Sequence, residues 1–157
     1  MRAGIFVDLS NLYHGAKLIY NKKVNYEAYY NFIKHNYSEV VFAKAYGTEI
    51  RNSAKEFKAA LSKIGFTTIY KQTKVIKHKG NIIHKGNIDS HLVVDVMSQI
   101  DDFDTLVLGS ADSDFVPLVN YLLKKGKYVL ILACNISSDF PTHSKLTAME
   151  LHAGLME

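Results

Sequence analysis

Asp8, Asp89, Asp112 and Asp114 are the residues of this 157-residue chain whose types and positions could do chemistry. Asp8 closes the apolar run Ala3–Val7. Asp112 and Asp114 follow another, in Leu108-Gly109-Ser110-Ala111-Asp112-Ser113-Asp114-Phe115. Carboxylates gathered at one point repel one another, so such a group normally needs a cation. Hard oxygen ligands without Cys or paired His suit Mg²⁺ or Mn²⁺, which keeps several waters and takes substrate phosphate in its remaining positions. Such an ion can activate a water and stabilise the leaving oxygen of a phosphodiester. Each Asp taken singly also reads as a helix cap or turn former, and Asp89 is the natural cap of the helix it opens.

The lysines give the acids a context. Between Glu56 and Asp89 there is no acidic residue, and Lys58, Lys63, Lys71, Lys74, Lys77, Lys79 and Lys85 fall in that gap. From Asp89 to Asp114 the balance reverses, with seven Asp and no Lys or Arg. A net charge of +4 is therefore the residue of two opposed regions. A basic stretch beside an acidic one fits a flank that grips phosphates next to a pocket that holds a metal. By itself, a lysine run is more often a solvated face.

The elements must then bring the acids together. Ala3–Val7, Val40–Tyr46, Phe66–Tyr70, Thr105–Leu108 and Tyr128–Ala133 are continuous apolar runs, as strands buried on both faces are. Helical patterns alternate with them. They cover Asn11–Tyr20, Tyr26–His35, a segment capped by Asn52 or Ser53 and stopped by Gly65, one starting at Asp89 or Ser90, and Phe115–Lys125. A last helix is expected after Pro141. Thr73–Ile76 and Ile82–His84 flank Lys79-Gly80-Asn81 as a hairpin. Alternation of this kind predicts an α/β fold: a three-layer α/β/α sandwich on a central, mostly parallel five-stranded sheet, one domain over residues 1–157. In such sheets ligands sit beyond the carboxyl ends of the strands where strand order reverses. If the first and fourth of these runs are neighbours, Asp8 and Asp112 meet there, and Asp89 must reach the same edge.

Composition narrows the classes. A chain with 48% apolar and 22% charged residues is globular rather than disordered. No apolar run approaches the roughly 18 residues of a membrane span, and Asp8 interrupts any leader-like start, so a soluble, cytoplasmic protein with no membrane partner is expected. The single Cys134 reads as an inert buried thiol. His78, His84 and His91 lack zinc spacing, and there is no phosphate-cradling Gly-rich loop or second Asp of a DxD phosphatase motif. Asp95 lies roughly 60° from Leu92 around its helix, at the edge of the apolar stripe, so it either orients a ligand residue or is surface. Asp101, Asp102 and Asp104 read as solvated turn residues. Tyr20, Tyr26, Tyr29 and Tyr30 could stack bases, but pack more naturally between helix and sheet.

Three blocks carry a family resemblance. They are Ile5-Phe6-Val7-Asp8-Leu9-Ser10-Asn11-Leu12, Lys85-Gly86-Asn87-Ile88-Asp89 with Leu92 and Asp95 beyond, and Leu108 through Phe115. In order and spacing they resemble the NYN domain family, a branch of the PIN-like nucleases whose bacterial members are often of the LabA type. The resemblance implies a PIN-like sheet and a metal-dependent endoribonuclease whose in-line hydrolysis leaves a 5′-phosphate. Carried over by position, Asp8, Asp89, Asp112 and Asp114 are the metal-site and catalytic carboxylates, and Asn11, Ser110 and Asp95 are polar groups supporting them. Lys71, Lys74, Lys77, Lys79 and Lys85 would then track RNA. Ser10 and Ala111 depart mildly from the family pattern, and the basic hairpin over 74–84 is an unusual insertion. The alternative is a non-catalytic RNA-binding or regulatory NYN module, and the exposed hairpin could equally pair with a second copy of the chain as a homo-oligomer.

Overall fold

The computed structural model describes residues 1–49, 54–72, 74–85, 88–152 and 154–157. In chain order its elements are β1 (Arg2–Asp8), α1 (Leu9–His14), a π-helical turn (Gly15–Ile19), α2 (Tyr26–Asn36), β2 (Glu39–Glu49), α3 (Ala54–Ile64) and β3 (Thr67–Gln72). There follow β4 (Lys74–His78), β5 (Asn81–Lys85), α4 (Asp89–Ser98), β6 (Thr105–Gly109), α5 (Val116–Lys124), β7 (Tyr128–Ala133) and β8 (Lys145–Ala148). Asn52 and Ser53, expected to cap α3, lie outside the described residues, as do Thr73 of the expected hairpin and Gly86 and Asn87 of the second sequence block.

The central sheet runs β3-β2-β1-β6-β7-β8, parallel throughout. It has six strands, not five. The sixth, β8, lies where a helix was expected after Pro141. Lys145–Ala148 is too short for a period to show, and as an edge strand it is only partly buried, so the sequence carries no continuous apolar run to mark it. β4 and β5 form a separate antiparallel hairpin, as the turn residues suggest: Lys79 and Gly80 both adopt positive φ (49° and 78°), the geometry of a two-residue type I′ turn.

Helices cover both faces. Period-two alternation sends Ala3, Ile5 and Val7 of β1 to one side, where Tyr29 and Ile33 of α2 and Leu61 of α3 pack. It sends Phe6 to the other, against Leu92 and Val96 of α4 and Val119 and Leu122 of α5. Asp8 continues the row of Phe6, so its carboxyl faces the layer in which α4 begins.

Gly109, the last residue of β6, is required by space. A Cβ there would lie 2.7 Å from the Tyr29 hydroxyl and 2.9 Å from Val7 Cγ2. That hydroxyl donates to the Leu132 carbonyl at 2.8 Å and is fully buried, so it cannot swing away. Gly109→Ala should destabilise by about 1–3 kcal/mol of overpacking, lowering the melting midpoint by roughly 2–12 °C. An unchanged midpoint would mean that α2 shifts freely, against the complete burial of Tyr29.

Candidate metal centre

The strand order reverses between β1 and β6: successive strands run outward from β1 one way to β3 and from β6 the other way to β8. Val7 pairs with Gly109, so the chain leaves both strands side by side, at Asp8 on one and Ser110 on the other. α4 starts at Asp89 above the same edge. One carboxylate oxygen from each of Asp8, Asp89 and Asp112 lies within 4.8 Å of the others. Residues more than 100 positions apart thus converge at the reversal point, as expected for a ligand site in an open parallel sheet.

The cap reading and the site reading hold together for two of the acids. Asp8 caps α1, Oδ1 accepting from the Asn11 backbone N–H at 3.2 Å. Asp112 caps the 3-10 turn Ser113–Phe115, Oδ1 accepting from the Asp114 N–H at 2.9 Å. Asp89 is different: α4 has Ile88 at its cap position and no side-chain cap, so capping does not explain Asp89.

Ser110 and Asn11 tie the strand ends together. The buried Ser110 hydroxyl donates to Asp8 Oδ2 at 3.4 Å and accepts from the Asp112 N–H at 3.2 Å. Asn11 Oδ1 accepts from the Ala111 N–H at 2.9 Å, clasping the β6 loop to α1. Ser110 and the Asn11 backbone N–H thus both hydrogen-bond the Asp8 carboxylate.

The electrostatics are those of carboxylates crowded together and partly withdrawn from water. Burial first, and then the charges of Asp89 and Asp112, push the Asp8 carboxyl up to about 6, against the lowering effect of its hydrogen bonds from Asn11 and Ser110. Burial raises Asp89 as well, with Asp112 and Asp114 adding to it. Among the described residues no Lys, Arg or His forms an ion pair with Asp8 or Asp112. Three mutually repelling carboxylates, all hard oxygen donors, are the donor set a small divalent cation takes. The residues present fit such an ion.

The other residues singled out by the sequence lie at varying distances from this group. Asp114 is exposed on the 3-10 turn, outside the three-carboxylate group but near enough to act on Asp89. Asp95 sits further along α4. Its Oδ2 accepts from the Tyr46 hydroxyl at 2.6 Å and lies 3.7 Å from His91 Nε2, so it anchors β2 to α4 and does not join the cluster. Lys71 at the end of β3 and Lys77 and Lys79 of the hairpin are exposed. Lys74 and Lys85 are register partners across the hairpin, and their side chains lie outside the described set. Cys134 is buried, and burial pushes its thiol up to about 11, in keeping with an inert group. No helix among the described residues is long and apolar enough to cross a membrane.

One feature is not legible in the sequence. On the α1–α3 side of the sheet, a groove of about 640 Å³ opens beside the carboxyl end of β1. Its walls come from several separated segments, so no local pattern announces it.

Comparison with known proteins agrees with this architecture. Over 143 residues the chain is 24% identical to the low amplitude and bright protein LabA of Synechococcus elongatus, covering 84% of this chain and 73% of that one. A crystal structure of a protein of unknown function from Vibrio parahaemolyticus superposes with a TM-score of 0.84 at 22% identity, over 99% of this chain and 96% of the other, which shows a shared fold. The NYN domain profile matches residues 2–152. With the three sequence blocks, the reversal-point carboxylates and nearly the whole chain inside that match, the chain belongs to the NYN domain family.

Proposed function

We propose that the protein is a Mg²⁺- or Mn²⁺-dependent endoribonuclease. The observation that carries the reading is the convergence of Asp8, Asp89 and Asp112 at the strand-order reversal, where Asp8 and Asp112 have no basic partner among the described residues. In this reading the three carboxylates hold the cation, and Ser110 and the Asn11 N–H keep Asp8 in one orientation. Asp114, exposed beside them, orients the attacking water. A bound divalent ion would supply charge stabilisation for the phosphodiester as it passes through its transition state. Membership of a family related to PIN-like nucleases supports RNA as the substrate and a single domain over the chain.

The test is incubation of the purified protein with labelled single-stranded and structured RNA, in Mn²⁺, in Mg²⁺ and in EDTA. Cleavage is expected in either metal and none in EDTA. Persistent cleavage in EDTA removes the metal mechanism. RNA binding without cleavage in any metal makes the chain a binding module instead.

The basic flank has its own test. Replacing Lys74, Lys77 and Lys79 together with Ala should weaken RNA binding. It should also flatten the slope of log K against log salt by about 0.7 for each single-strand phosphate that a lysine no longer neutralises. An unaltered slope would return the hairpin to a solvated face.

A further inference from the structure

The groove on the α1–α3 side shares the end of β1 with the acidic cluster. Leu9 and Ser10, the residues directly after Asp8, line it. So do Gly47 and Thr48, which directly follow Tyr46, the register partner of Asp8. Successive Cα atoms are about 3.8 Å apart, so the groove begins within one or two residues of the carboxylates. The two sites flank one strand end, the acids toward α4 and the groove toward α1 and α3.

The groove is aromatic, with Tyr13, Tyr26, Phe57 and Tyr70 in its walls. Tyr13 is 57% exposed and Phe57 40%, which leaves ring surface open to a ligand. Phe57 is braced by Tyr26, their ring centroids 5.7 Å apart at 66°. Gly47 lets Tyr70 and Leu9 pack down on the strand as the floor: a Cβ there would stand 2.9 Å from the Tyr70 ring and 3.2 Å from Leu9 Cδ1. The rim is cationic. Lys22 and Lys23 line it, exposed and making no ion pair among the described residues, and Lys58 Nζ sits 4.3 Å over the Tyr70 ring. An acidic or purely apolar partner would leave one of these features unused. Open rings ringed by cations fit a flat, electron-rich ring carried on a phosphate chain. At about 640 Å³ the groove lies within the size range of small-ligand pockets.

We infer that this groove takes an unpaired base of the RNA whose phosphodiester lies at the carboxylates, stacked on Tyr13 and Phe57. The inference rests on the nuclease reading above and adds a subsite: Tyr13 and Phe57 as the platform for a base free to leave its stack. A paired base cannot enter, because its edge and both faces are engaged in the helix.

The test measures binding, in EDTA, of a fluorescent unstructured RNA and of a fully paired RNA. The proteins are wild type, Tyr13→Ala, Phe57→Ala and the ring-retaining Tyr13→Phe. Each alanine variant is expected to weaken single-strand binding about 5- to 150-fold and to leave duplex binding unchanged. Tyr13→Phe should bind like wild type, and Tyr13→Ala should keep the wild-type melting midpoint, since the side chain is largely exposed. If wild type binds RNA and both alanine variants bind the single strand equally well, the groove is no base site and the nuclease reading stands. Equal weakening toward single strand and duplex also overturns the inference, since a loss blind to pairing is not a lost stack. A wild type that binds no RNA overturns the nuclease reading and this one with it.

Discussion

Asp112→Asn should cut the rate of metal-dependent RNA cleavage at least about 100-fold, because losing even an outer partner of a metal ligand costs 10–100-fold. The same substitution should make the metal-free protein slightly more stable. Asn keeps the cap: its Oδ1 can accept from the Asp114 N–H, and the Asp112 N–H bond to Ser110 is a backbone interaction that survives. What goes is one of three converging charges. The Asp112 charge raises both Asp8 and Asp89, so its removal relieves both. Relief on the order of 1 kcal/mol corresponds to a rise of roughly 2–4 °C in the melting midpoint for a chain of this size. Mn²⁺ should stabilise wild type and leave the variant nearly unmoved. A metal-free variant clearly less stable than wild type would show Asp112 to be a structural cap alone.

The second large effect concerns pH. The Asp8 carboxyl, ordinarily near 3.8, stands at about 6 in the folded chain. The native state therefore holds this proton more tightly than the unfolded chain does. Stability of the metal-free protein should fall as pH rises from about 4 to about 6, by up to about 3 kcal/mol from this group. Other carboxyls act oppositely; Asp104, for example, is held low by its hydrogen bonds from Arg2. The comparison that isolates Asp8 is wild type against Asp8→Asn across that window, by chemical denaturation. The difference between the two should grow with pH in favour of the variant and level off above about pH 6. Saturating Mn²⁺ should reverse the wild-type trend, since the ion binds the deprotonated carboxylates. A difference that stays flat with pH would place Asp8 in an ordinary, hydrated environment.

Both predictions stand on residues that can be named from the sequence, for a physical reason. β1, β6 and β7 are buried on both faces, so they read as unbroken apolar runs, and Asp8 and Asp112 mark where two of them stop. The position of Asp89 is harder, because only the sheet order decides whether the start of α4 comes over β1 and β6. Spacing leaves that open, and the resemblance to the NYN family supplies it. Asp95 shows in the sequence as the edge of an apolar stripe, but its partner Tyr46 lies 49 positions away and leaves no local trace. β8 escapes a sequence reading because an edge strand needs little apolar content, and Pro141 suggests a helix start instead. The aromatic groove escapes it for the opposite reason. Tyr26 reads as packing between helix and sheet, and it does brace that layer; only the assembled walls show what else its neighbours leave open.

The pairing of β1 with β6 has a consequence for the order in which the molecule comes into being. β1, β2 and β3 can assemble once the chain has emerged as far as Gln72, but Asp8 then has no acidic neighbour. Asp112, about a hundred residues after Asp8, comes beside it only when β6 docks on β1, a closure that is slow because it is so non-local. A ribosome-bound chain short of Asp112 thus carries a sheet half without the three-carboxylate group. Any chemistry these carboxylates support together therefore begins only when a late strand has closed on an early one.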